Sequence, residues 1–256
     1  MRIGVTLPAD REVELAVAAE TVGLPFVYVA ATPGTESVIA ATVVAATRTV
    51  RVIVGLHLGD EHPVTLAEEI VVLDNLSNGR IGVIGEIGSL DIEAATEDVT
   101  LLRASWAGRP IRHRGERWQV PAGLAGHVAP DAVMVTPAPA QLDVPLWMAG
   151  DAARPVGASL GLPVVAHAPG AVDAAVPVSP GKATLVGDVD IDRQTVSDWS
   201  SVGATHLLCA LDGTATVEAI ARWLVPEVAM VEFPRVVTET PLPASWRGPA
   251  GSRGGC

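Results

Sequence analysis

The chain has 256 residues, of which 49% are hydrophobic and 4% aromatic, and it carries 17 basic against 29 acidic residues for a formal charge of -12. An apolar fraction made of Ala, Val, Leu and Ile suits parallel strands covered by helices, and this length allows one α/β barrel. The negative charge repels phosphates and anionic lipid surfaces, so we expect neither nucleic acid nor a membrane as a partner.

The cysteines and the N-terminus indicate where the protein works. Cys209 lies in an apolar run and Cys256 is the last residue. This pair has no framework spacing, so disulfides are not expected and a reducing compartment fits. The apolar run at the N-terminus meets charges too soon for a signal peptide or a membrane span. We therefore expect a soluble, cytoplasmic protein.

Apolar runs of strand length alternate with longer segments of helical period, which is typical of repeated βα units. The predicted strands are eight in number and cover residues 3–7, 26–30, 50–56, 81–84, 145–149, 163–166, 183–186 and 205–211. The predicted helices cover residues 11–22, 35–47, 63–77, 91–106, 152–160, 191–202 and 214–229. This order predicts a single TIM-type (β/α)8 barrel over residues 1–235, with a doubly wound open sheet as the alternative.

Three segments depart from the βα repeat. Residues 108–143 form an excursion too long for an ordinary loop, and we expect a hairpin followed by irregular chain. Residues 168–182 contain three prolines, so the barrel is expected to be reduced after its sixth strand. Residues 236–256 are rich in Pro and Gly and lack an apolar period, which indicates a weakly ordered tail.

The junction between the third helix and the fourth strand carries clear stop and start signals. Apolar residues recur at helical spacing at Leu66, Ile70, Leu73 and Leu76. Pro63 suits the first turn of this helix, and Gly79 is expected to supply the left-handed residue that ends it. The fourth strand follows at once. Its glycines have no side chains, so a ligand could approach the backbone closely near the carboxyl end of the strand, where barrel enzymes bind ligands. These glycines are Gly82, Gly85 and Gly88.

Several motifs in this order resemble the luciferase-like monooxygenase family, which includes flavin-dependent and coenzyme F420-dependent oxidoreductases. They are AETVGLPFVYV, ATVVAATRTVRVIVG, HPVTLAEEIVVLDNLSNGR, LLRASWAG with RPIRHRGERW, VPLWMAG, VGDV and GATHLLCAL. The resemblance implies a TIM-type barrel that binds FMN or coenzyme F420 at its carboxyl-end face. Ala30 and Ala31 stand where the family usually has an acidic or His residue, and the long insertion after strand six is absent. The chain is thus similar to a shortened and divergent member.

Three side chains at the ends of predicted strands are candidate catalytic residues. His57 follows the third strand, where the family holds its flavin ring, and could transfer a proton. Glu86 follows the fourth strand, where a carboxylate is costly unless it is paired or binds a ligand. His167 ends the sixth strand and points to the same rim. The simpler alternatives are that His57 and His167 only hydrogen-bond to their loops, and that Glu86 is an exposed loop acid in contact with water.

The resemblance also implies where a cofactor would be held. Gly55 and Leu56 at the end of the third strand, and Gly85 in the fourth, are expected near its ring. Its phosphate is expected at the turn after the fifth strand, where Gly150 allows close approach and Arg154 supplies positive charge. Asp151 in the same turn would instead cap the helix that begins there.

Other conspicuous residues have structural explanations. His62 is expected to cap the third helix, His206 to lie at the stability face of the barrel, and Trp147 to fill the core. A metal site formed by His57, His62 and the acids between them is disfavoured, because the helical spacing typical of zinc ligands is absent.

The excursion carries His113, Arg114, Arg117 and Trp118, which form either a lid over the mouth or a solvated basic hairpin.

These features support one functional hypothesis and two alternatives. The first is an oxidoreductase or monooxygenase that uses FMN or coenzyme F420 on a small organic substrate. The second is a barrel that has lost the redox cofactor and performs acid–base chemistry, such as isomerisation or cyclisation. The third is a non-catalytic subunit. The many Ala, Val and Leu side chains on the helices favour a homodimer, and the third hypothesis implies a heterodimer with a homologous barrel.

Overall fold

The computed structural model describes residues 1–122, 130–150, 153–167, 185–187, 192–211 and 217–221. The strands are β1 (Arg2–Leu7), β2 (Phe26–Val29), β3 (Arg51–Leu58), β4 (Ile81–Ile87), β5 (His113–Arg114), β6 (Gln119–Val120), β7 (Leu146–Ala149), β8 (Leu185–Val186) and β9 (His206–Ala210). The helices are α1 (Glu12–Thr21), α2 (Glu36–Ala46), α3 (Pro63–Ser77), α4 (Ile92–Trp106), α5 (Ala153–Leu160) and α6 (Arg193–Ser201). Residues 217–221 are also helical. The predicted loss of the sixth helix and the predicted tail lie outside the described residues.

The main sheet is parallel and curls into a barrel. Seven strands pair in the order β7-β4-β3-β2-β1-β9-β8. The predicted sixth strand lies between the two outermost of these strands. The amide of Val165 donates to Met148 at 2.8 Å, and the amide of Gly187 donates to Ala166 at 3.2 Å. These bonds link the two edges of the sheet, which confirms the α/β barrel fold predicted from the alternation of strands and helices.

That sixth segment is less regular than the sequence indicates. Residues 163–166 were expected to form a continuous strand, but the structure has only single bridge residues there: Val164 pairs with Met148, and Ala166 is a second bridge residue. Pro163 has no amide hydrogen, so it can accept from Met148 but cannot donate to the ladder. The barrel closes here through single hydrogen bonds instead of a continuous ladder.

The strands β3 and β4 are longer than predicted. They pair without interruption from Val52 with Ile81 to Leu58 with Ile87, and His57 stands directly opposite Glu86. The sequence placed these two side chains just beyond the strand ends. Continued pairing with the neighbouring strand carries both of them into the sheet, where the backbone holds their positions more firmly than a loop would.

The core has two layers, one between sheet and helices and one inside the barrel. The inner layer consists of Phe26, Tyr28, Ile53, Ile84, Trp147, Ala149, Val165 and Leu208. His206 lies beneath it, with its ring 5.4 Å from that of Phe26 and 5.9 Å from that of Trp147. Burial, helped by nearby Arg2 and Arg51, lowers the pKa of His206 to about 3. The predicted packing roles of Trp147 and His206 are thus confirmed.

The ends of α3 are fixed by the residues that the sequence singled out. The Nδ1 atom of His62 accepts from the amide of Val64 at 3.1 Å, so His62 caps the helix as predicted. At the other end, Asn78 has a φ of 56° and Gly79 a φ of 79°. The helix therefore ends on two consecutive left-handed residues, where the sequence had indicated only Gly79.

The arginine of the same Ser-Asn-Gly-Arg motif ties three elements together. The guanidinium of Arg80 donates to the carbonyl oxygens of Val50 at 2.6 Å and Thr47 at 3.0 Å. Its Nε atom donates to the carbonyl of Ser77 at 2.9 Å. These carbonyls include free ones at the ends of α2 and α3, so Arg80 joins both helices to the start of β4.

The excursion is anchored to α4 through one carboxylate. Glu97 accepts from the amides of Glu116 at 3.0 Å, Arg117 at 3.1 Å and Trp118 at 2.9 Å, and its Oε1 atom lies 3.0 Å from Nε2 of His113. Burial favours a higher pKa for Glu97, but the His113 ring and these amides outweigh it and lower the pKa to about 2. The hairpin of β5 and β6 therefore packs on the outside of the barrel.

Two further contacts hold the excursion against the helices. The ring of Trp118 meets that of His62 at 4.4 Å, and its indole nitrogen donates to Asp98 at 2.6 Å. Gln141, near the end of the excursion, donates from its amide nitrogens to both carboxylate oxygens of the fully buried Asp74, at 2.9 and 2.7 Å. The described part of the excursion thus runs along α3 and α4.

Within the described residues, no helix has both the length and the apolar composition needed to cross a membrane.

The left-handed glycine after α3 can be tested by substitution. We expect Gly79→Val to lower the free energy of unfolding by about 1–3 kcal/mol, because a β-branched residue resists positive φ. The new Cβ would also lie 3.2 Å from the side chain of Gln141. The control is Gly88→Ala, since a Cβ at Gly88 meets nothing within 4 Å. An unchanged denaturation midpoint for Gly79→Val would contradict this explanation.

The anchor of the excursion should respond to acid. A carboxyl whose pKa falls on folding stabilises the fold above its unfolded pKa of about 4.3, and this contribution is lost as pH falls towards the folded value. For Glu97 that folded value is about 2. We expect wild-type hairpin amides to lose protection from hydrogen exchange over this acid range.

The variant Glu97→Gln should weaken the same anchor at neutral pH by about 1–2 kcal/mol, because its amide replaces a charge-assisted acceptor. Exchange of the Arg117 and Trp118 amides provides the measurement. The control is Glu93→Gln, an exposed acid on the same helix. Equal protection in wild type and Glu97→Gln would show that the carboxylate does not hold the hairpin.

Candidate functional site

Three polar side chains from neighbouring strands meet at the carboxyl end of the barrel. The hydroxyl of Tyr28, on β2, donates to Oε1 of Glu86, on β4, at 3.0 Å. The Nδ1 atom of His57, on β3, lies 3.7 Å from Oε2 of the same carboxylate. Tyr28 is 8% exposed as a residue, while the side chains of His57 and Glu86 are 27% and 35% exposed. The row therefore runs from the barrel interior to an accessible rim.

The missing side chain of Gly55 makes this row possible. Gly55 lies on β3, between the strands that carry Tyr28 and Glu86. A Cβ at this position would stand 2.7 Å from the Tyr28 hydroxyl and 2.5 Å from the amide nitrogen of Ala31. Both distances are shorter than real contacts allow, so the tyrosine reaches Glu86 through space that only glycine leaves open.

The two partners of Glu86 interact with it differently. The 3.0 Å contact with Tyr28 is a hydrogen bond, whereas the 3.7 Å separation from His57 exceeds hydrogen-bond length and is an electrostatic contact. Oε2 therefore faces the histidine while keeping capacity to accept from another donor. A partly exposed carboxylate beside an imidazole is an arrangement that can take part in proton transfer with a bound ligand.

His167 is not part of this row. It follows the segment that pairs with β7, while Glu86 lies on β4, so one strand separates them by about 10 Å. His167 is exposed, and a Cβ at Gly187 would lie 3.1 Å from its ring. The structure thus brings together two of the three predicted catalytic residues and places the third farther along the rim.

Two of the predicted cofactor residues face away from the mouth. Leu56 is fully buried in the layer between the sheet and the helices. A Cβ at Gly85 would meet side chains of the same layer, those of Leu58 at 3.3 Å and Met148 at 3.5 Å. If either residue contacts a cofactor, it does so through its backbone.

The turn before α5 is partly described. Gly150 has a φ of 101°, and a Cβ there would stand 2.7 Å from the carbonyl oxygen of Ile87. This close approach to the end of β4 requires glycine. Arg154 is exposed in the first turn of α5, at the same face of the barrel. Asp151 lies outside the described residues.

The described residues contain no group of three or more His, Cys, Asp or Glu side chains that could hold a metal ion. Cys209 is buried in β9, and burial raises the pKa of its thiol. Neither observation adds a candidate to the row at the mouth.

Tyr28 was missed from the sequence. It is the single tyrosine of the chain and stands two residues after Phe26 in a short apolar strand. Two signals could have found it, namely a hydroxyl near the carboxyl end of a strand and a glycine on the next strand that gives it room. Apolar periodicity alone shows neither.

Comparison with known proteins identifies the family and agrees with the fold. The luciferase-like monooxygenase family matches residues 2–177 of the chain. No protein of curated function gives a significant sequence match. Among solved structures, monooxygenase RslO1 from Streptomyces bottropensis is 16% identical with a TM-score of 0.66, covering 88% of this chain and 99% of its own.

Two other solved structures are similar. The coenzyme F420-dependent tetrahydromethanopterin reductase from Methanopyrus kandleri is 13% identical with a TM-score of 0.65, covering 88% of this chain and 98% of its own. The oxygenating constituent of 3,6-diketocamphane monooxygenase from Pseudomonas putida, in complex with FMN, is 14% identical with a TM-score of 0.51, covering 81% and 66%. Identities this low establish the shared fold, and the match over most of the chain establishes the family. The chain belongs to the luciferase-like monooxygenase family.

Proposed function

We propose that this protein is an oxidoreductase that uses FMN or coenzyme F420 on a small organic substrate bound at the carboxyl-end face of the barrel. The observation that carries the proposal is the row of Tyr28, Glu86 and His57 at that face, in a chain of this family. Neighbouring structures with the same fold include one described as coenzyme F420-dependent and one in complex with FMN.

The residues at the mouth suit a flat heterocycle with a polar edge. Glu86 offers an acceptor oxygen, and His57 offers a ring nitrogen on an accessible side chain. Gly88 is surrounded by open space, and Ala149 ends β7 without a bulky side chain. The phosphate of either cofactor would lie against the turn of Gly150, as the family resemblance implies. When bound, the cofactor would supply hydride or oxygen chemistry.

The protein side chains would provide proton handling and exclusion of water. His57 is proposed to accept or return a proton at the substrate, and Glu86 to stabilise the charge that forms on the imidazole. The interior below them is filled by the inner core layer, so substrate and cofactor would be confined to the mouth. Substrate and cofactor would then be held beside His57 and Glu86.

One observation favours an alternative, namely acid–base chemistry without a redox cofactor. The Tyr28, Glu86 and His57 row is complete within this chain and could serve an isomerisation or cyclisation by itself. A third possibility, a non-catalytic subunit that pairs with a homologous barrel, would show neither cofactor binding nor turnover in isolation.

The absorbance spectrum of the purified protein, followed by titration with FMN and with coenzyme F420, separates these functions. The proposal expects saturable binding of one cofactor at micromolar concentration. Failure to bind either one would eliminate the redox function and leave the acid–base enzyme and the non-catalytic subunit, of which only the acid–base enzyme would show turnover without a cofactor. A redox cofactor that binds but is not reduced by any candidate substrate would still support the cofactor assignment.

The role of His57 can be tested in the loaded enzyme. We expect His57→Ala to lower turnover at least about tenfold and to leave the melting temperature nearly unchanged, because the variant removes a group that acts on the substrate. Glu61→Ala changes an exposed residue nearby and serves as the control. Full activity in His57→Ala would remove this residue from the proposed mechanism.

The phosphate position can be tested through Arg154. If a phosphate binds at the turn before α5, Arg154→Ala should weaken cofactor binding by about 1 kcal/mol or more, the scale of a charge-assisted hydrogen bond. The control Arg48→Ala removes the same charge from an exposed residue in the loop before β3, at the opposite end of the barrel. Equal affinity in both variants would place the phosphate elsewhere.

A further inference from the structure

The site contains a hydroxyl that no catalytic step requires directly. We propose that Tyr28 is a positioning residue, whose hydrogen bond to Glu86 sets which ring nitrogen of His57 carries the proton. The relevant contacts are the 3.0 Å hydrogen bond from Tyr28 to Oε1 of Glu86 and the 3.7 Å approach of Oε2 to Nδ1 of His57. The assignment of the tautomer does not depend on the proposed function, although its use in catalysis does.

The first step is the effect of the tyrosine on the carboxylate. A Glu side chain at a half-exposed rim can rotate among several rotamers, and one hydrogen bond from a rigid donor restricts that choice. Tyr28 is such a donor, because its ring is buried in the inner core layer with Phe26 and Ile53. The bond therefore fixes Oε1 inside the barrel and leaves Oε2 turned along the rim.

The second step is the effect of the carboxylate on the histidine. Oε2 faces Nδ1 of His57, and a negative oxygen near one ring nitrogen favours the tautomer that places the hydrogen on that nitrogen. Within the described residues, no hydrogen bond to Nε2 of His57 is found. Nε2 is then the unprotonated atom, with its lone pair available to accept a proton from a ligand.

The third step explains why the arrangement needs Gly55. Any side chain on that residue would meet the Tyr28 hydroxyl at 2.7 Å and the Ala31 backbone at 2.5 Å. Gly55 was predicted as a cofactor contact from the family resemblance. Its position gives a second reason why this residue is glycine. Only glycine leaves room for the Tyr28 hydroxyl to pass over β3 and reach Glu86.

The test uses long-range nitrogen–proton correlation spectra of the histidine rings, recorded on 15N-labelled protein without cofactor at a pH where His57 is neutral. The chain contains six histidines, and the signals of His57 are assigned by their loss in His57→Gln. We expect wild type to show Nδ1 as the protonated nitrogen and Nε2 as the unprotonated one. In Tyr28→Phe the two nitrogen shifts should move towards each other, because the released carboxylate no longer holds one tautomer.

A second variant makes the test independent of the first. In Glu86→Gln the side-chain amide can donate to Nδ1, so the tautomer should invert and Nε2 should carry the hydrogen. The control is Thr6→Val, which removes a hydroxyl from the strand next to Tyr28, at the position paired with it in register. That variant should leave the His57 shifts unchanged, and melting curves establish that each variant is folded.

Several outcomes would overturn the assignment. They are a wild-type ring protonated on Nε2, a tautomer unchanged in Tyr28→Phe, and a tautomer unchanged in Glu86→Gln. None of these results depends on whether the protein binds FMN or coenzyme F420. Failure of the cofactor titration would therefore remove the redox function without affecting the tautomer assignment, and the two failures can be distinguished.

Discussion

The uninterrupted parallel pairing of β3 with β4 is the constraint on which the site depends. The ladder continues to Leu58 and Ile87, so His57 and Glu86 are held by backbone hydrogen bonds as direct neighbours. In a parallel sheet, residues paired in this way project to the same face. A ladder that ended two residues earlier would leave both side chains on loops, where their separation would not be fixed.

Other features of the fold maintain this pairing. The left-handed residues after α3 turn the chain into β4 at a fixed point, and Arg80 joins that point to the ends of α2 and α3. Buried Asp74 and its partner Gln141 secure the chain that leads into β7, the next neighbour of β4. The motif that carried the family resemblance therefore acts mainly through structure, because it sets where β4 begins.

The sequence was sufficient for the fold and partly sufficient for the site. Helix α3 matches its prediction at both ends, since Pro63 and Gly79 are strong local signals. The direction of side chains was harder to obtain, because strands covered on both faces are apolar at every position and show no alternation. Leu56 and Gly85 were placed near the cofactor because of the family resemblance, and the apolar pattern could not show that both face the helices. Tyr28 escaped notice because its function depends on Gly55 and Glu86, which lie on other strands.

The proposed function requires that the row formed by Tyr28, Glu86 and His57 borders the binding site for FMN or coenzyme F420. The most direct measurement is an NMR titration with each cofactor that follows the ring signals of His57 and of Tyr28, the only tyrosine of the chain. We expect both sets of signals to shift along a saturable curve with the same affinity for one cofactor. Saturable binding that leaves the Tyr28 and His57 signals in place, or no binding at all, would contradict the proposed cofactor site.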